Sequence, residues 1–137
     1  MTKHRTWRPF AFLPWLMMAL WGLLVLLLTT LPGETPLVQT LTQLIGGTEF
    51  SSVMGHMTLF LLLTLLLYMA LQQWVAARHA VLVAMLFVLM LGTTTEFFQW
   101  FVTGRDSTIA DLIANWLGVF VAGFGVDHLA LLRRATS

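Results

Sequence analysis

The chain contains no cysteine, which rules out disulfides and thiolate metal sites. Charge is almost as scarce. Only 9% of the 137 residues are Asp, Glu, Lys or Arg, against roughly 25% in a soluble domain. Water cannot solvate most of such a surface. Hydrophobic residues make up 58% of the chain, and the mean hydropathy is +0.86. This is the composition of an integral membrane protein, with one domain over residues 1–137 at this length. The sequence also lacks an H-E-x-x-H metal helix, a G-x-S-x-G nucleophile elbow, an internal repeat and any low-complexity segment. Metalloprotease, serine-hydrolase and inverted-repeat transporter chemistry are therefore without their usual signatures. The eight Met and six Trp residues read as core and interface residues, and no cofactor and no metal is expected.

What is present is long apolar runs. They predict four transmembrane helices at about residues 10–31, 52–71, 80–101 and 109–126, each able to cross a hydrocarbon core of roughly 30 Å. The first follows Lys3, Arg5 and Arg8 and imitates a signal peptide. Its uncharged run exceeds the ~7–15 residues of a signal core, and no small-x-small cleavage site follows, so a retained helix is expected. Between the first two spans, PLVQTLTQLI puts Leu37, Val38, Leu41, Leu44 and Ile45 on one face and Gln39, Thr40, Thr42 and Gln43 on the other. That period predicts a short amphipathic helix ended by Gly46-Gly47, lying in the interface or packed on the bundle. The tail from Asp127 is polar and basic, and a separate short surface helix could form there. The expected fold class is thus all-α: a polytopic four-helix membrane domain with a short interfacial helix in its first outer loop.

Four spans leave both termini on one side. Lys3, Arg5, Arg8, Arg78, Arg133 and Arg134 then share that side, and Arg105 faces Glu34, Glu49 and Asp106 on the other. The positive-inside rule puts the termini in the cytoplasm, with the bacterial inner membrane as the expected location. No nucleic-acid partner is expected.

This topology sets the depth of the few polar residues inside the spans. His56 near the start of the second span, Glu96 and Gln99 near the end of the third, and Asp111 and Asn115 near the start of the fourth fall in one outer layer. Arg105 lies in the loop between. Polar groups at such depth are costly and mark functional sites by default. Glu96 and Gln99 share a helix face at i, i+3, and Gly92 keeps that face narrow. Asp111, Asn115 and Gly118 form a second stripe. Beside it run Ala110, Ala114, Gly118 and Ala122, the spacing that lets membrane helices approach closely. It predicts a tight antiparallel pair of the third and fourth spans, or contact between copies in a homo-oligomer.

Each residue also has a purely structural reading. Glu96 could form an ion pair with Arg105 that only ties down the loop. Gln99 and Asn115 could be interhelical hydrogen-bond partners, and Asp111 a helix cap. His56 follows Ser51-Ser52 and could be an interfacial residue. The chemical alternatives are a metal set of His56, Glu96 and Asp111, a nucleophile among Ser51, Ser52 and Ser107, and proton transfer through Glu96 and His56. The favoured physical reading is recognition of a phosphate-like head group, since a guanidinium grips phosphate through two hydrogen bonds. Arg105, Gln99 and Asn115 would bind, and Glu96, His56 and Asp111 would carry any catalysis.

The ordered set His56, Glu96-x-x-Gln99, Gly104-Arg105 and Asp111-x-x-x-Asn115-x-x-Gly118 resembles the VanZ-like family of bacterial membrane proteins. The resemblance covers about Ser52 to Gly123. Members usually carry Asp-Lys-x-x-His at the start of the second span; here Ser52 and Val53 stand in place of the Asp-Lys, which marks a divergent branch. The resemblance implies a four-helix topology and a link to teicoplanin-type antibiotic resistance, without a settled biochemical activity. Three readings follow. The first is binding or modification of an anionic envelope lipid or lipid-linked precursor in an outer-leaflet pocket. The second is a non-enzymatic scaffold held together by the polar cluster. The third is a small transporter or intramembrane hydrolase.

Overall fold

Pro14 sits in the first turn of α1 (Leu13–Thr30), where its missing N–H would have had no intrahelical partner. This computed structural model describes residues 11–102 and 108–135. Extended backbone at Leu31 and Pro32 end α1. Pro36 opens α2 (Pro36–Ile45), and Gly46 closes it with φ 113°. The Gly47 N–H reaches back to the Thr42 carbonyl at 2.8 Å, satisfying a carbonyl the helix leaves open. Next come α3 (Glu49–Leu71), α4 (Ala77–Gln99) and α5 (Ile109–Ala135). The chain is all-helical among the described residues. Four helices (α1, α3, α4 and the Ile109–Ala130 part of α5) are long and apolar enough to cross a membrane.

The ends differ from the hydropathy reading where capping or propensity outweighs apolarity. α3 starts at Glu49 because Thr48 and Ser51 form a reciprocal capping box, which halts fraying of a polar first turn. α4 takes in Arg78 and His79, residues with no hydropathy signal. α5 does not stop near Val126: it continues through the Asp127–Ala135 tail as one helix. Leu, Ala and Arg are strong helix formers, and no Gly or Pro follows Gly125 to break it. The N-terminal Lys3, Arg5 and Arg8 lie outside the described residues, as do the side chains of Ile45, Arg133 and Arg134.

α3 is the central element. Val25 of α1, Phe60, Leu63 and Leu67 of α3, Ala84 and Val88 of α4, and Val119 of α5 form one buried core. The most extensive packing joins α3 to α5. A Cβ at Gly118 would be driven into the Met57 carbonyl oxygen and would lie 2.9 Å from the Leu61 nitrogen. The sequence predicts its tightest pair between the third and fourth spans, α4 and α5. Those helices do touch, but the backbone-to-backbone approach is between α3 and α5. A short connection forces adjacency and cannot decide which face of α5 meets which neighbour. Ala114, Gly118 and Ala122 are buried, and Ala110 is exposed.

The outer surface is apolar, as hydrocarbon requires: Leu86, Met90 and Phe124 are all largely exposed. Val38 and Leu41 of α2 turn toward the bundle, and Leu37 and Leu44 are exposed. The apolar face of α2 thus divides between the protein and its surroundings.

Candidate functional site

Three spans place one polar side chain each at a common point. Asn115 of α5 donates its amide N–H to Glu96 Oε1 of α4 at 2.8 Å. With that nitrogen spent, the Asn115 oxygen faces α3, where it meets His56 Nδ1 at 3.0 Å. His56 Nδ1 also lies 3.3 Å from Glu96 Oε1. Both neighbours are acceptors, so Nδ1 carries the ring proton. Glu96 is 3% exposed and Asn115 fully buried. Gly92 makes the meeting possible: a Cβ there would stand 2.9 Å from the Phe60 ring and 3.3 Å from Asn115 Cβ.

The other ring nitrogen of His56 has a different setting. Both polar contacts of the His56 side chain run through Nδ1, and no buried side-chain polar atom among the described residues lacks a partner. Nε2 therefore reaches accessible space. His56 lines a recess of about 100 Å³ between α1, α2 and α3, with Thr29, Val38, Thr42, Ser51 and Ser52 among its walls. An imidazole whose Nδ1–H is held by two acceptors presents its Nε2 lone pair outward. It can accept a proton there, or donate a hydrogen bond once protonated.

The remaining candidates sit around this centre. Gln99 is buried and donates its amide to the Thr29 carbonyl of α1 at 2.9 Å, one of the last carbonyls of that helix. Gln99→Leu is expected to leave that carbonyl orphaned and to lower the thermal midpoint in detergent by the equivalent of about 1–3 kcal/mol. Asp111 forms a reciprocal cap on α5. Its Oδ2 accepts from the Thr108 hydroxyl at 2.7 Å, and its own N–H donates to Thr108 Oγ1 at 3.2 Å. Of the two roles the sequence leaves open for Asp111, these bonds serve the cap. Thr108→Ala should therefore cost about 0.5–2 kcal/mol of stability, measured by chemical denaturation in micelles. Gly104, Arg105 and Ser107 lie outside the described residues. Among the described residues no three His, Asp or Glu side chains come together to hold a metal ion.

A model of the VanZ/LLP1 family matches residues 14–129, from the first turn of α1 to beyond the middle of α5. The chain belongs to the VanZ/LLP1 family. No curated protein and no solved structure matches it. Family membership and four apolar helices together make it a membrane protein of this family. The match takes in α1 and α2, which the motif resemblance from Ser52 onward does not reach, and these helices supply one side of the recess. Ser52 of this VanZ/LLP1 chain lines the recess, and it is the position at which the motif resemblance implies an aspartate. The divergence thus falls on the recess wall beside His56.

Two features carried too weak a sequence signal to be singled out. Thr29 lies at the end of a leucine run, and only the tertiary contact with Gln99 distinguishes it. Phe97, Phe98, Trp100 and Phe101 form an exposed aromatic group at the end of α4, with Phe97 and Phe101 ring centroids 5.3 Å apart. Trp100, one turn beyond Glu96, is of the type enriched at the membrane–water boundary.

Proposed function

We propose that this VanZ/LLP1 protein binds or modifies an anionic envelope lipid or lipid-linked precursor, and through it contributes to cell-envelope antibiotic tolerance. The site faces the outer leaflet of the bacterial cytoplasmic membrane, with both termini in the cytoplasm. The observation that carries this reading is His56: its Nδ1 is fixed by Asn115 and Glu96, and the residue lines a recess walled by Ser51, Ser52 and Thr42. A phosphate oxygen there would accept from the imidazolium and from the Ser52 hydroxyl. The first turn of α3 adds the favourable end of a helix dipole. Arg105, placed by sequence between the two helices that carry Glu96 and Asn115, supplies the second cation.

Native mass spectrometry of the protein extracted from its own membrane tests this. Wild type is expected to carry an anionic lipid, and His56→Ala and Arg105→Ala to lose it several-fold while remaining folded. Unchanged lipid occupancy in both variants would sink the reading. A second reading is favoured by the burial of Glu96 and Asn115 and by the full pairing of their polar atoms: a tie that only holds α3, α4 and α5 together. It predicts that Glu96→Gln and Arg105→Ala reduce the amount of folded protein and leave bound lipid unaltered.

A further inference from the structure

The recess beside His56 does not stand alone. A second, larger hollow of about 350 Å³ adjoins it on the outside of α1 and α3, lined by Trp21, Leu28, Ser51, Met54, Gly55, Thr58 and Leu59. The two share Leu28, Ser51, Gly55 and Leu59. They therefore lie side by side across these residues, the polar recess toward the loop end and the hollow deeper along the span. Between Ser51 and Leu59 the helix rises about 12 Å.

The chemistry of the hollow is that of hydrocarbon. Its polar groups are spent within the chain. Trp21 Nε1 donates to the Leu59 carbonyl at 3.0 Å, Thr58 Oγ1 to the Met54 carbonyl at 2.8 Å, and Ser51 Oγ to the Thr48 carbonyl at 2.8 Å. No group there asks a ligand for a hydrogen bond, so an apolar occupant costs no desolvation penalty. α1 and α3 are both membrane spans, so the groove fronts the acyl region of the bilayer. Gly55 stands where the two spaces join, and a Cβ added there would meet nothing within 4 Å. Its missing side chain leaves the passage open; no packing within the bundle requires a glycine there.

We infer that the α1–α3 groove takes the hydrocarbon chain of the lipid whose head group occupies the recess at His56; this rests on the head-group reading above. The site then recognises an amphiphile at both ends. The polar end meets His56 and Ser52, and the chain runs over Gly55 toward Trp21. A soluble phosphate compound without a chain would use only half of it.

The test uses the full-length protein in phosphatidylcholine nanodiscs doped with phosphatidylglycerol carrying a diazirine in mid-chain. After irradiation, labelled peptides are mapped by mass spectrometry. Labelling of Met54, Thr58, Leu59 and Trp21 is expected to exceed that of Met90 and Phe124, exposed on other helices, by several-fold. Gly55→Leu should abolish the excess by filling the passage. Thr58→Trp, which fills the groove from an exposed position, should do the same if Gly55→Leu does not fold. Even labelling of all exposed helices, or an excess that survives both variants, would overturn the inference. So would covalent dimers joined through the groove, which would assign it to a second copy. The same label on phosphatidylcholine separates the two claims. Groove labelling equal for both head groups and unaffected by His56→Ala would uphold the chain site and overturn the head-group reading.

Discussion

Gly118→Ala is expected to destabilise the protein by about 1–3 kcal/mol or more, the range for overpacking a closed interior. One methyl group usually raises helix stability, because glycine in a helix costs about 1 kcal/mol relative to alanine. Here the sign reverses. The new Cβ would be driven into the Met57 carbonyl oxygen, with the Leu61 nitrogen 2.9 Å and the Met57 carbonyl carbon 3.1 Å away. These are backbone atoms in the middle of α3 and cannot rotate aside as a side chain can. The helices must separate, and the core around Phe60 and Val119 opens with them. Gly125→Ala is the internal control: same helix, same substitution, nothing within 4 Å of the added atom. Gly92→Ala should fall between, since its nearest obstacle is the movable Phe60 ring. Thermal midpoints of the three variants in one detergent decide the matter. If Gly118→Ala melted with Gly125→Ala, the close approach of α3 and α5 would be wrong.

The second large effect is at Asn115. Asn115→Ala removes the amide that donates to Glu96 and the oxygen that receives His56 in one step. Interhelical hydrogen bonds in membranes average only ~0.6 kcal/mol, so the two bonds alone would account for roughly 1 kcal/mol. Leaving a buried acceptor short of a partner adds about 1–3 kcal/mol, and that larger contribution dominates. Glu96→Gln behaves differently. Glutamine keeps the shape and an oxygen able to accept from Asn115, so the lipid-site reading expects folded yield near wild type, where the tie-only reading expects a loss. The two substitutions thus separate structure from chemistry. A double-mutant cycle of Asn115→Ala with His56→Ala is expected to show coupling, because each partner's loss already breaks the shared bond. Strict additivity of the two would mean the contact contributes nothing to stability.

Composition and period carried most of the architecture. A chain with 9% charge must place its surface in lipid, and four long apolar runs divided by Pro32-Gly33, by the polar residues Gln72, Gln73, Arg78 and His79 and by the VTGRDST loop leave little choice of helix number. Gly46-Gly47 marked the end of α2 because positive φ there suits only glycine well. The candidate site was partly legible for the same reason. Span direction places His56, Glu96 and Asn115 at similar depth, and cost in hydrocarbon marks them out. Depth is one coordinate, however, and a bond needs three. Which of the polar residues meet, and through which atoms, depended on the rotation of each helix. Asp111 shows the limit: at the same depth as its neighbours, it turns to Thr108 and caps its own helix.

Hydropathy and breakers were therefore sufficient for the class, the four spans and the polar layer, because each depends on a local free energy of transfer or of turning the backbone. The pairing of Asn115 with both Glu96 and His56, the contact of Gly118 with α3, the joining of Gln99 to Thr29 and the recess that opens onto an apolar groove were settled by packing alone. They depend on helix rotation and on the space that Gly55, Gly92 and Gly118 leave empty. A missing side chain shows in a sequence only as a glycine; what fills or borders its space is a property of the assembled bundle.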